Sequence, residues 1–331
     1  MKKTVLITDR FSTEAWVTLE NQNYIQLKRA KNYNLRDEDL SGVSGMIIRS
    51  RTEITAEVFK RAPDLQVIVT CTSGFDHIDL EAAAEWGVTV MFTPEANVAS
   101  ATELTWGLIH ACARKILPAQ KLFSAKALGD GDWARDGIIG TELCHKTLGI
   151  VGLGRIGSRV AQTAKALQMS VVAYDPFIEE EDFKKAGADR VAFEELLKSS
   201  DVISFHVPKT PMTKYMLNRS HLEYIHRGVI LVNTSRGSVI KEMDLCEAIA
   251  DGWVGAAGLD VFEKEPLPPT SKLLSFPQVV LTPHVGANTQ EAFYKASEMA
   301  ALKLLRFFVD GTASDSLPPK AAWYNQTNPW A

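Results

Sequence analysis

Three residues whose side chains can act together in acid–base chemistry lie in the second half of the chain: Arg236, Glu265 and His284. The arginine offers a planar, permanently charged fork that matches a carboxylate. The histidine can move a proton near neutral pH, and a carboxylate beside it would orient the ring and stabilise its charged form. Taken singly, each has an ordinary interpretation as a surface charge or a loop residue, so the hypothesis depends on their convergence.

Each of the three follows a short apolar run that predicts a β-strand. In a doubly wound sheet, ligands bind at the carboxyl ends of the strands, so residues that follow neighbouring strands can reach one crevice. The sequence therefore predicts that the arginine, the carboxylate and the imidazole share one site. The three apolar runs are residues 229–232, 255–259 and 279–281.

A glycine-rich turn precedes these strands, within the sequence LGIVGLGRIG at residues 148–157. An apolar strand breaks into a G-x-G-x-x-G turn and then enters a helix, which is the context that a dinucleotide fingerprint requires. Gly152 permits the tight turn, Gly154 lets the backbone approach a pyrophosphate, and Gly157 lets helix and strand pack closely. The phosphates would lie at the helix N-terminus, where the amides are unpaired and the dipole is positive.

An acidic residue completes the fingerprint. Asp175 comes 18 residues after Gly157, at the end of a second apolar strand, residues 171–174. Its carboxylate can hydrogen-bond a ribose 2′-hydroxyl but would repel a 2′-phosphate. The sequence therefore predicts a site for NAD rather than NADP.

The apolar runs fall into two sets, each alternating with helical segments. This pattern predicts an α/β protein with two doubly wound parallel sheets and a cleft between them, the second sheet forming a complete Rossmann domain. A further helix is predicted over residues 290–309. The first set of strands is 5–7, 46–48, 67–69 and 88–92, and the second is 148–151, 171–174, 202–206, 229–232, 255–259 and 279–281.

Residues 99–117 predict one long helix that ends at Pro118. This helix is apolar almost all round, so it should be buried on more than one side. Packing within one subunit and packing across a subunit interface are equally compatible with the pattern.

Composition limits the possible partners. The chain has 331 residues, which is enough for two domains, and its 36 basic and 40 acidic residues give a net charge of −4. This balance favours neither nucleic acid nor an anionic membrane as a partner. The four cysteines are scattered without metal-ligand spacing, so we expect no metal site and reduced thiols. No apolar run is long enough for a signal peptide or a membrane span, so we expect a cytoplasmic protein.

Several motifs in order resemble those of the NAD-dependent D-2-hydroxyacid dehydrogenases, and the resemblance runs from about Met46 to Met299. A finer resemblance, to the phosphoglycerate dehydrogenases of that family, lies in the stretches RSRT at 49–52, GTEL at 140–143 and GANTQEA at 286–292. The motifs of the whole family are GFDHID at 74–79, GTEL, the fingerprint, NTSRG at 233–237, DVF at 260–262 and PHVG at 283–286.

The resemblance implies roles for the substrate-binding residues. Arg236 would bind the substrate carboxylate and carbonyl, and His284, paired with Glu265, would be the general acid and base. The backbone amides of Ser73 and Gly74 would hold the carboxylate. Asn97 would lie near them, and Arg49 and Ser50 are further candidates for substrate contacts. Arg49 and Arg51 alternate along an extended chain, so we expect only one of them to face the site.

The resemblance also implies cofactor contacts beyond the glycines and Asp175. Arg155 and Ile156 would cover the pyrophosphate. Val207, Thr234 and Asp260 would position the adenine side, the nicotinamide and the carboxamide, respectively.

A discontinuous organisation is implied as well. Residues 1–98 and 290–331 would form a flavodoxin-like substrate domain into which an NAD-binding Rossmann domain, residues 99–289, is inserted. The family is typically dimeric through the long helix near residue 100, which favours a homodimer here. No function is assigned to the aromatic residues of the tail, Trp323, Tyr324 and Trp330.

The expected reaction is hydride transfer between NAD and C2 of a D-2-hydroxy acid. The expected pair is 3-phosphoglycerate and 3-phosphohydroxypyruvate, as in serine biosynthesis. One alternative is a glyoxylate or hydroxypyruvate reductase. An alternative of a different class is an NADH-sensing corepressor that binds partner peptides and retains similar residues.

Overall fold

The computed structural model describes residues 2–124 and 137–325, which divide into two compact units. One unit comprises the chain up to Val98 together with Ala287–Asn325, and the other is Ala99–Gly286. Trp330 therefore lies outside the described residues.

The strands in chain order are β1 (Lys3–Ile7), β2 (Ile25–Arg29), β3 (Val43–Ile48), β4 (Val67–Thr70), β5 (Thr89–Phe92), β6 (Thr147–Val151), β7 (Ser170–Tyr174), β8 (Asp189–Arg190), β9 (Val202–Phe205), β10 (Val229–Asn233), β11 (Val254–Leu259), β12 (Val279–Leu281) and β13 (Ser316–Leu317). The helices are α1 (Thr13–Glu20), α2 (Ala56–Arg61), α3 (Leu80–Glu85), α4 (Val98–Ala113), α5 (Ile116–Ser124), α6 (Arg155–Ala166), α7 (Glu180–Ala186), α8 (Phe193–Ser199), α9 (Arg219–Leu222), α10 (Glu242–Ala250), α11 (Gln290–Asp310) and α12 (Ala322–Asn325).

The first unit is built on a six-stranded sheet in the order β13-β5-β4-β3-β1-β2. Its strands are parallel except for β13, which pairs antiparallel with β5. Consecutive residues of β3 alternate between two apolar cores, with Met46 and Ile48 in one and Ile47 in the other. Both faces of the sheet are therefore covered, as expected for parallel strands.

The second unit is built on a seven-stranded parallel sheet in the order β12-β11-β10-β9-β6-β7-β8. Leu231 of β10 packs on one face, and its neighbours Ile230 and Val232 pack on the other. The strand order reverses between β6 and β9, so the switch point where such sheets bind ligands lies at their carboxyl ends. The predicted fold class, two doubly wound α/β domains, is confirmed.

The sequence missed three strands, all at sheet edges. β2 and β8 carry mostly polar residues, and β8 and β13 have only two residues each. An edge strand buries little surface, so it shows no apolar run for periodicity to detect. The helix predicted over residues 290–309 is confirmed as α11, which ends at Asp310 and is followed by Gly311 in the left-handed conformation.

The single helix predicted over residues 99–117 is wrong. α4 ends at Ala113, the chain turns through Lys115 with φ +50°, and α5 begins at Ile116. Pro118 is the third residue of α5 and does not end a helix. Proline is tolerated there because the amides of a first turn have no acceptor within the helix.

Candidate active site

The glycine-rich turn joins β6 to α6 in the second unit. Gly152 has φ +92°, and a Cβ on it would approach the His206 carbonyl oxygen at 2.8 Å, so a glycine is required. Gly157 lies against the backbone of Gly152, which also excludes a side chain. Gly154 is the N-cap residue of α6, and a Cβ there would meet open space. Open space at the N-terminus of a twelve-residue helix suits a pyrophosphate.

Asp175 follows β7 and links two turns at this edge. Its Oδ2 accepts a hydrogen bond from the Leu153 amide at 3.0 Å, and its Oδ1 accepts one from the Phe177 amide at 3.0 Å. Burial raises the pKa of the Asp175 carboxyl, while these two amide bonds oppose the rise. The carboxylate is therefore held beside the fingerprint turn, where a ribose would lie.

His206 was missed by the sequence analysis, although it follows β9 at the same edge. His206 is half-buried, and desolvation of its ring lowers its pKa to about 3, so the imidazole is neutral and shares a hydrogen bond with Ser204 Oγ at 2.8 Å. The next residue, Val207, lies against Gly152: a Cβ on the glycine would approach Val207 Cγ1 at 2.8 Å. The chain after β9 thus forms one wall of the glycine-rich turn.

His284 and Glu265 form a direct hydrogen-bonded pair in the second unit. His284 Nδ1 and Glu265 Oε2 are 2.7 Å apart, and Glu265 Oε1 accepts from the Phe262 amide at 3.1 Å. Arg236 is close enough for its charge to affect the pKa of both partners. The structure therefore brings the three predicted residues into one site.

The pair shifts both pKa values in the directions that favour its charged form. The hydrogen bond that Glu265 accepts from the His284 ring raises the pKa of His284, against burial and the nearby positive charge of Arg236, which lower it. Burial is the largest single influence on Glu265 and would raise its pKa. The hydrogen bond and charge of His284, the Phe262 amide and the charge of Arg236 together outweigh burial and lower it. The imidazolium is thus stabilised beside an ionised carboxylate.

The backbone of His284 is held by Asp260, which is fully buried. The Asp260 carbonyl accepts from the His284 amide at 2.8 Å, and His284 has φ +52°, unusual for a residue other than glycine. The Asp260 carboxylate accepts hydrogen bonds from Thr282 Oγ1 at 2.6 Å and from the amides of Val285 and Gly286 at 2.8 Å each. Asp260 therefore positions the histidine, a role that sequence reasoning missed. The carboxamide contact stays a prediction.

The loops that carry Arg236 and Glu265 are in backbone contact. Gly237 lies so close to the carbonyl group of Phe262 that no side chain could be accommodated. Asn233 Nδ2 donates to the Arg236 carbonyl at 2.9 Å, and Arg236 Nη1 donates to the Ser235 carbonyl at 2.7 Å. Thr234 is tied to α4 by a hydrogen bond of 2.9 Å between its hydroxyl and that of Thr105.

The other substrate-binding candidates lie in the first unit. Ser73 Oγ donates a short hydrogen bond to Asn97 Oδ1, and Thr72 Oγ1 donates to the Gly74 carbonyl at 2.6 Å. These bonds fix the loop that follows β4. Ser50 is exposed after β3.

Arg49 and Arg51, which the sequence could not distinguish, have different surroundings. Arg51 forms two hydrogen bonds with Asp9, at 2.6 and 3.1 Å. Arg49 stacks over Phe293 at 5.4 Å, and its Nη1 is buried with no hydrogen-bond partner among residues 2–124 and 137–325. Only Arg49 therefore has a guanidinium group still available for an anion.

Three further structural findings bear on the predicted partners. The described part of the chain contains no helix long and apolar enough to cross a membrane. It also contains no group of three or more His, Cys, Asp or Glu residues that could hold a metal ion. All four cysteines are free thiols, and only Cys144 is exposed.

The second unit is thus a Rossmann-type dinucleotide-binding domain with an acid–base pair at its ligand edge. Residues 106–286 match the family model described as D-isomer specific 2-hydroxyacid dehydrogenase, NAD binding domain. The chain belongs to the D-isomer specific 2-hydroxyacid dehydrogenase family, and the cofactor of its nucleotide-binding domain is NAD. The open helix N-terminus and the held Asp175 carboxylate fit that cofactor.

The similar proteins include enzymes named for different substrates. The chain is 38% identical to the D-3-phosphoglycerate dehydrogenase of Bacillus subtilis over 92% of its own length and 56% of that protein. It spans about half the length of the phosphoglycerate dehydrogenases it matches. It is 40% identical to the hydroxypyruvate reductase of Thermotoga maritima over 87% of this chain and 92% of that protein. A D-lactate dehydrogenase from Aquifex aeolicus, solved with NAD and lactic acid, superposes with a TM-score of 0.80 at 29% identity, covering 93% of this chain and 96% of that one.

Proposed function

We propose that this protein is an NAD-dependent oxidoreductase that interconverts a D-2-hydroxy acid and the corresponding 2-oxo acid. The observation that carries the proposal is the His284–Glu265 hydrogen bond of 2.7 Å, formed within reach of the Arg236 charge. This arrangement lies in the same unit as the dinucleotide fingerprint. A proton-moving group, its anionic partner and a carboxylate-binding cation are the groups that the reaction needs.

The cofactor would be held at the carboxyl ends of β6 and β7. The turn formed by Gly152, Gly154, Arg155, Ile156 and Gly157 would hold the pyrophosphate through the first amides of α6. When bound, NAD supplies or accepts the hydride. The other cofactor contacts are proposed for Asp175 at the ribose, Val207 on the adenine side, Thr234 at the nicotinamide and Asp260 at the carboxamide.

Proton movement would take place at Nε2 of His284. Since Nδ1 is engaged by Glu265, Nε2 is the ring nitrogen left for the substrate oxygen. During oxidation the neutral ring takes the hydroxyl proton, and during reduction the charged ring returns it. Arg236 would bind the substrate carboxylate with its planar fork and stabilise negative charge on the C2 oxygen.

The first unit would contribute further substrate contacts. The Ser73 and Gly74 amides lie in a loop that Thr72 and Asn97 hold in place, which suits them to bind a carboxylate. We propose that this unit is the substrate domain. Arg49, with a buried and unpartnered Nη1, would meet a second anionic group on the substrate.

Two substrate assignments have separate support. The available Arg49 guanidinium favours a phosphorylated acid, 3-phosphoglycerate or 3-phosphohydroxypyruvate, which would place the enzyme in serine biosynthesis. The 40% identity with a hydroxypyruvate reductase along 92% of that relative favours hydroxypyruvate or glyoxylate. We propose the phosphorylated substrate first, because the buried Nη1 of Arg49 has no hydrogen-bond acceptor among the described residues and an anionic group of the substrate would supply one.

A panel of acids tests the proposed function. The protein would be assayed with NADH against 3-phosphohydroxypyruvate, hydroxypyruvate, glyoxylate and pyruvate. Steady turnover of at least one of them is expected, with phosphohydroxypyruvate giving the highest kcat/KM. Binding of NADH without turnover of any acid would instead support the NADH-sensing alternative.

Replacing Arg49 by alanine should separate the two substrate assignments. An arginine–phosphate contact includes hydrogen bonds between charged groups, so its loss should raise KM for phosphohydroxypyruvate about 10- to 100-fold. KM for hydroxypyruvate, which has no phosphate, should change by less than about threefold. Steady-state kinetics with both substrates measures the difference.

Arg51→Ala is the matched control, because Asp9 already occupies that guanidinium. It should leave the ratio of the two KM values unchanged. If Arg49→Ala raised both KM values equally, Arg49 would not be a phosphate contact and the hydroxypyruvate assignment would be favoured.

Replacing Glu265 by glutamine should shift the pH dependence of reduction to lower pH. Reduction needs protonated His284, and Glu265 raises the pKa of that ring, so its charge keeps the acid form present to higher pH. Without the charge, the pKa of His284 falls and activity is lost at a lower pH on the basic limb. The profile of kcat/KM for reduction against pH shows this shift directly.

Glu263→Gln serves as the control, since it removes a carboxylate from the same loop. Glu263 accepts from Tyr215 Oη and the Glu242 amide and makes no hydrogen bond with His284. Superimposable profiles for Glu265→Gln and the parent would show that Glu265 does not set the pKa of His284.

We also propose a cytoplasmic homodimer. The apolar residues of α4, including Trp106 and Ile109, are buried within the core of their own unit. The face of α4 left exposed carries Glu103 and Gly107, and Gly107 leaves room for close approach of a second helix. Four free thiols suit a reducing compartment.

A further inference from the structure

Tyr324, one of the tail residues to which the sequence assigns no function, belongs to the first unit and follows β13. β13 pairs antiparallel with β5, with Ser316 opposite Met91 and Leu317 opposite Val90. The chain then reaches Tyr324, whose ring centroid lies 6.3 Å from that of Phe75. This separation is within the range of attractive aromatic pairs.

An ion pair between the buried Lys303 and the exposed Asp315 fixes the start of this path. Lys303 of α11 is only 7% exposed, and its ammonium group donates to Asp315 Oδ2 at 2.5 Å and to the Ser314 carbonyl at 3.1 Å. The Asp315 carbonyl accepts from the Phe92 amide at 3.1 Å. A buried ammonium group is stable only with such partners, so Lys303 holds the residues just before β13, Ser314 and Asp315, in place.

Phe75 connects the tail to the loop that carries Ser73 and Gly74. Its ring packs edge-on against Phe92 at a centroid separation of 5.8 Å and is tilted by 57° against the ring of Tyr324. The Phe75 carbonyl accepts from the Ile78 amide at 3.1 Å, which closes the turn after the loop. A shift of the Phe75 ring would therefore move the backbone next to the proposed carboxylate-binding amides.

Polar contacts hold the remainder of the loop. Thr72 Oγ1 donates to the Gly74 carbonyl at 2.6 Å, and the Thr70 hydroxyl contacts both the Thr72 hydroxyl at 2.6 Å and His77 Nε2 at 3.2 Å. The loop is thus fixed by a polar network together with the ring contacts of Phe75.

We propose that Tyr324 is a positioning residue for substrate binding: its ring holds Phe75 and thereby the Ser73–Gly74 loop in the conformation that receives the substrate carboxylate. The inference rests on the proposed function, because the role of those amides is itself proposed. The ring of Tyr324 acts by packing, so its hydroxyl is dispensable. Loss of the ring should weaken acid binding without affecting NAD binding in the other unit.

Two substitutions and a control test the proposal. Tyr324→Ala removes the ring, Tyr324→Phe removes only the hydroxyl, and Tyr224→Ala removes a tyrosine of similar exposure, 42% against 37%, from the second unit. KM and kcat for the best acid of the panel and Kd for NADH would be measured for each. Hydrogen exchange across residues 72–79 would be followed in parallel.

Tyr324→Ala should raise KM for the acid about 3- to 10-fold, the effect of losing one aromatic pair, with kcat and NADH affinity unchanged. Exchange at the Ile78 amide should accelerate, while Tyr324→Phe and Tyr224→Ala should match the parent. An unchanged KM, or equal losses in KM, kcat and NADH affinity, would overturn the positioning role. If the parent turned over no acid, the proposed function would fail, and unchanged exchange at Ile78 would separately refute the contact between tail and loop.

Discussion

Replacing His284 by alanine is expected to lower kcat by about 10²- to 10⁴-fold, the usual contribution of a positioned acid–base group. The affinity for NADH should stay within about threefold of the parent, since the imidazole acts on the substrate proton and not on the phosphates or the ribose. The loss should appear in both directions of the reaction, because one ring takes the proton in oxidation and returns it in reduction.

Turnover would be measured by absorbance of NADH, and its affinity by fluorescence titration. His226→Ala is a suitable control, because it deletes an exposed imidazole of the same unit whose contact within the described part of the chain is with the neighbouring Arg227 carbonyl. Losses of similar size in kcat and NADH affinity would mean that His284 is a structural residue and would remove the basis of the proposed mechanism.

The dinucleotide site could be predicted from the sequence because its determinants are local. Gly152, Gly154 and Gly157 lie within one turn. The structure leaves no room for a side chain at Gly152 or Gly157, and it leaves open space beside Gly154. Asp175 lies one strand further along, at a separation fixed by the length of the intervening helix. The trio could be predicted as a group because parallel strands place the residues that follow them at one edge.

Other features depend on contacts between distant segments. Arg49 and Arg51 differ because of Asp9, which lies 42 residues before Arg51 in the sequence. The Asp9 carboxylate hydrogen-bonds Arg51 and so leaves the Arg49 guanidinium available. The role of Asp260 in holding His284 follows from four hydrogen bonds across two loops. The break before α5 depends on a left-handed residue, Lys115, whose type does not signal that conformation.

Replacing Arg236 by alanine should have an effect of similar size, seen mainly in kcat/KM. Removing one partner of a desolvated charged pair costs about 2–5 kcal/mol, or roughly 30- to 5,000-fold in kcat/KM for the acid. Arg236→Lys should recover only part of this loss, because a point charge cannot reproduce a planar two-point contact with a carboxylate. Arg219→Lys, at an exposed arginine paired with Glu247, is the matched control and should behave as the parent.

Replacing Arg236 should also shift the pH profile in a definite direction, which the loss of a merely structural arginine would not do. The positive charge of Arg236 lowers the pKa of His284, so its removal should raise that pKa and move the basic limb of the reduction profile to higher pH. Glu265→Gln should move the same limb in the opposite direction, since it removes the negative charge. Profiles of kcat/KM against pH for the two variants should therefore lie on opposite sides of the parent. If the basic limbs of the two variants moved in the same direction from that of the parent, the charges of Arg236 and Glu265 would not both act on the His284 ring.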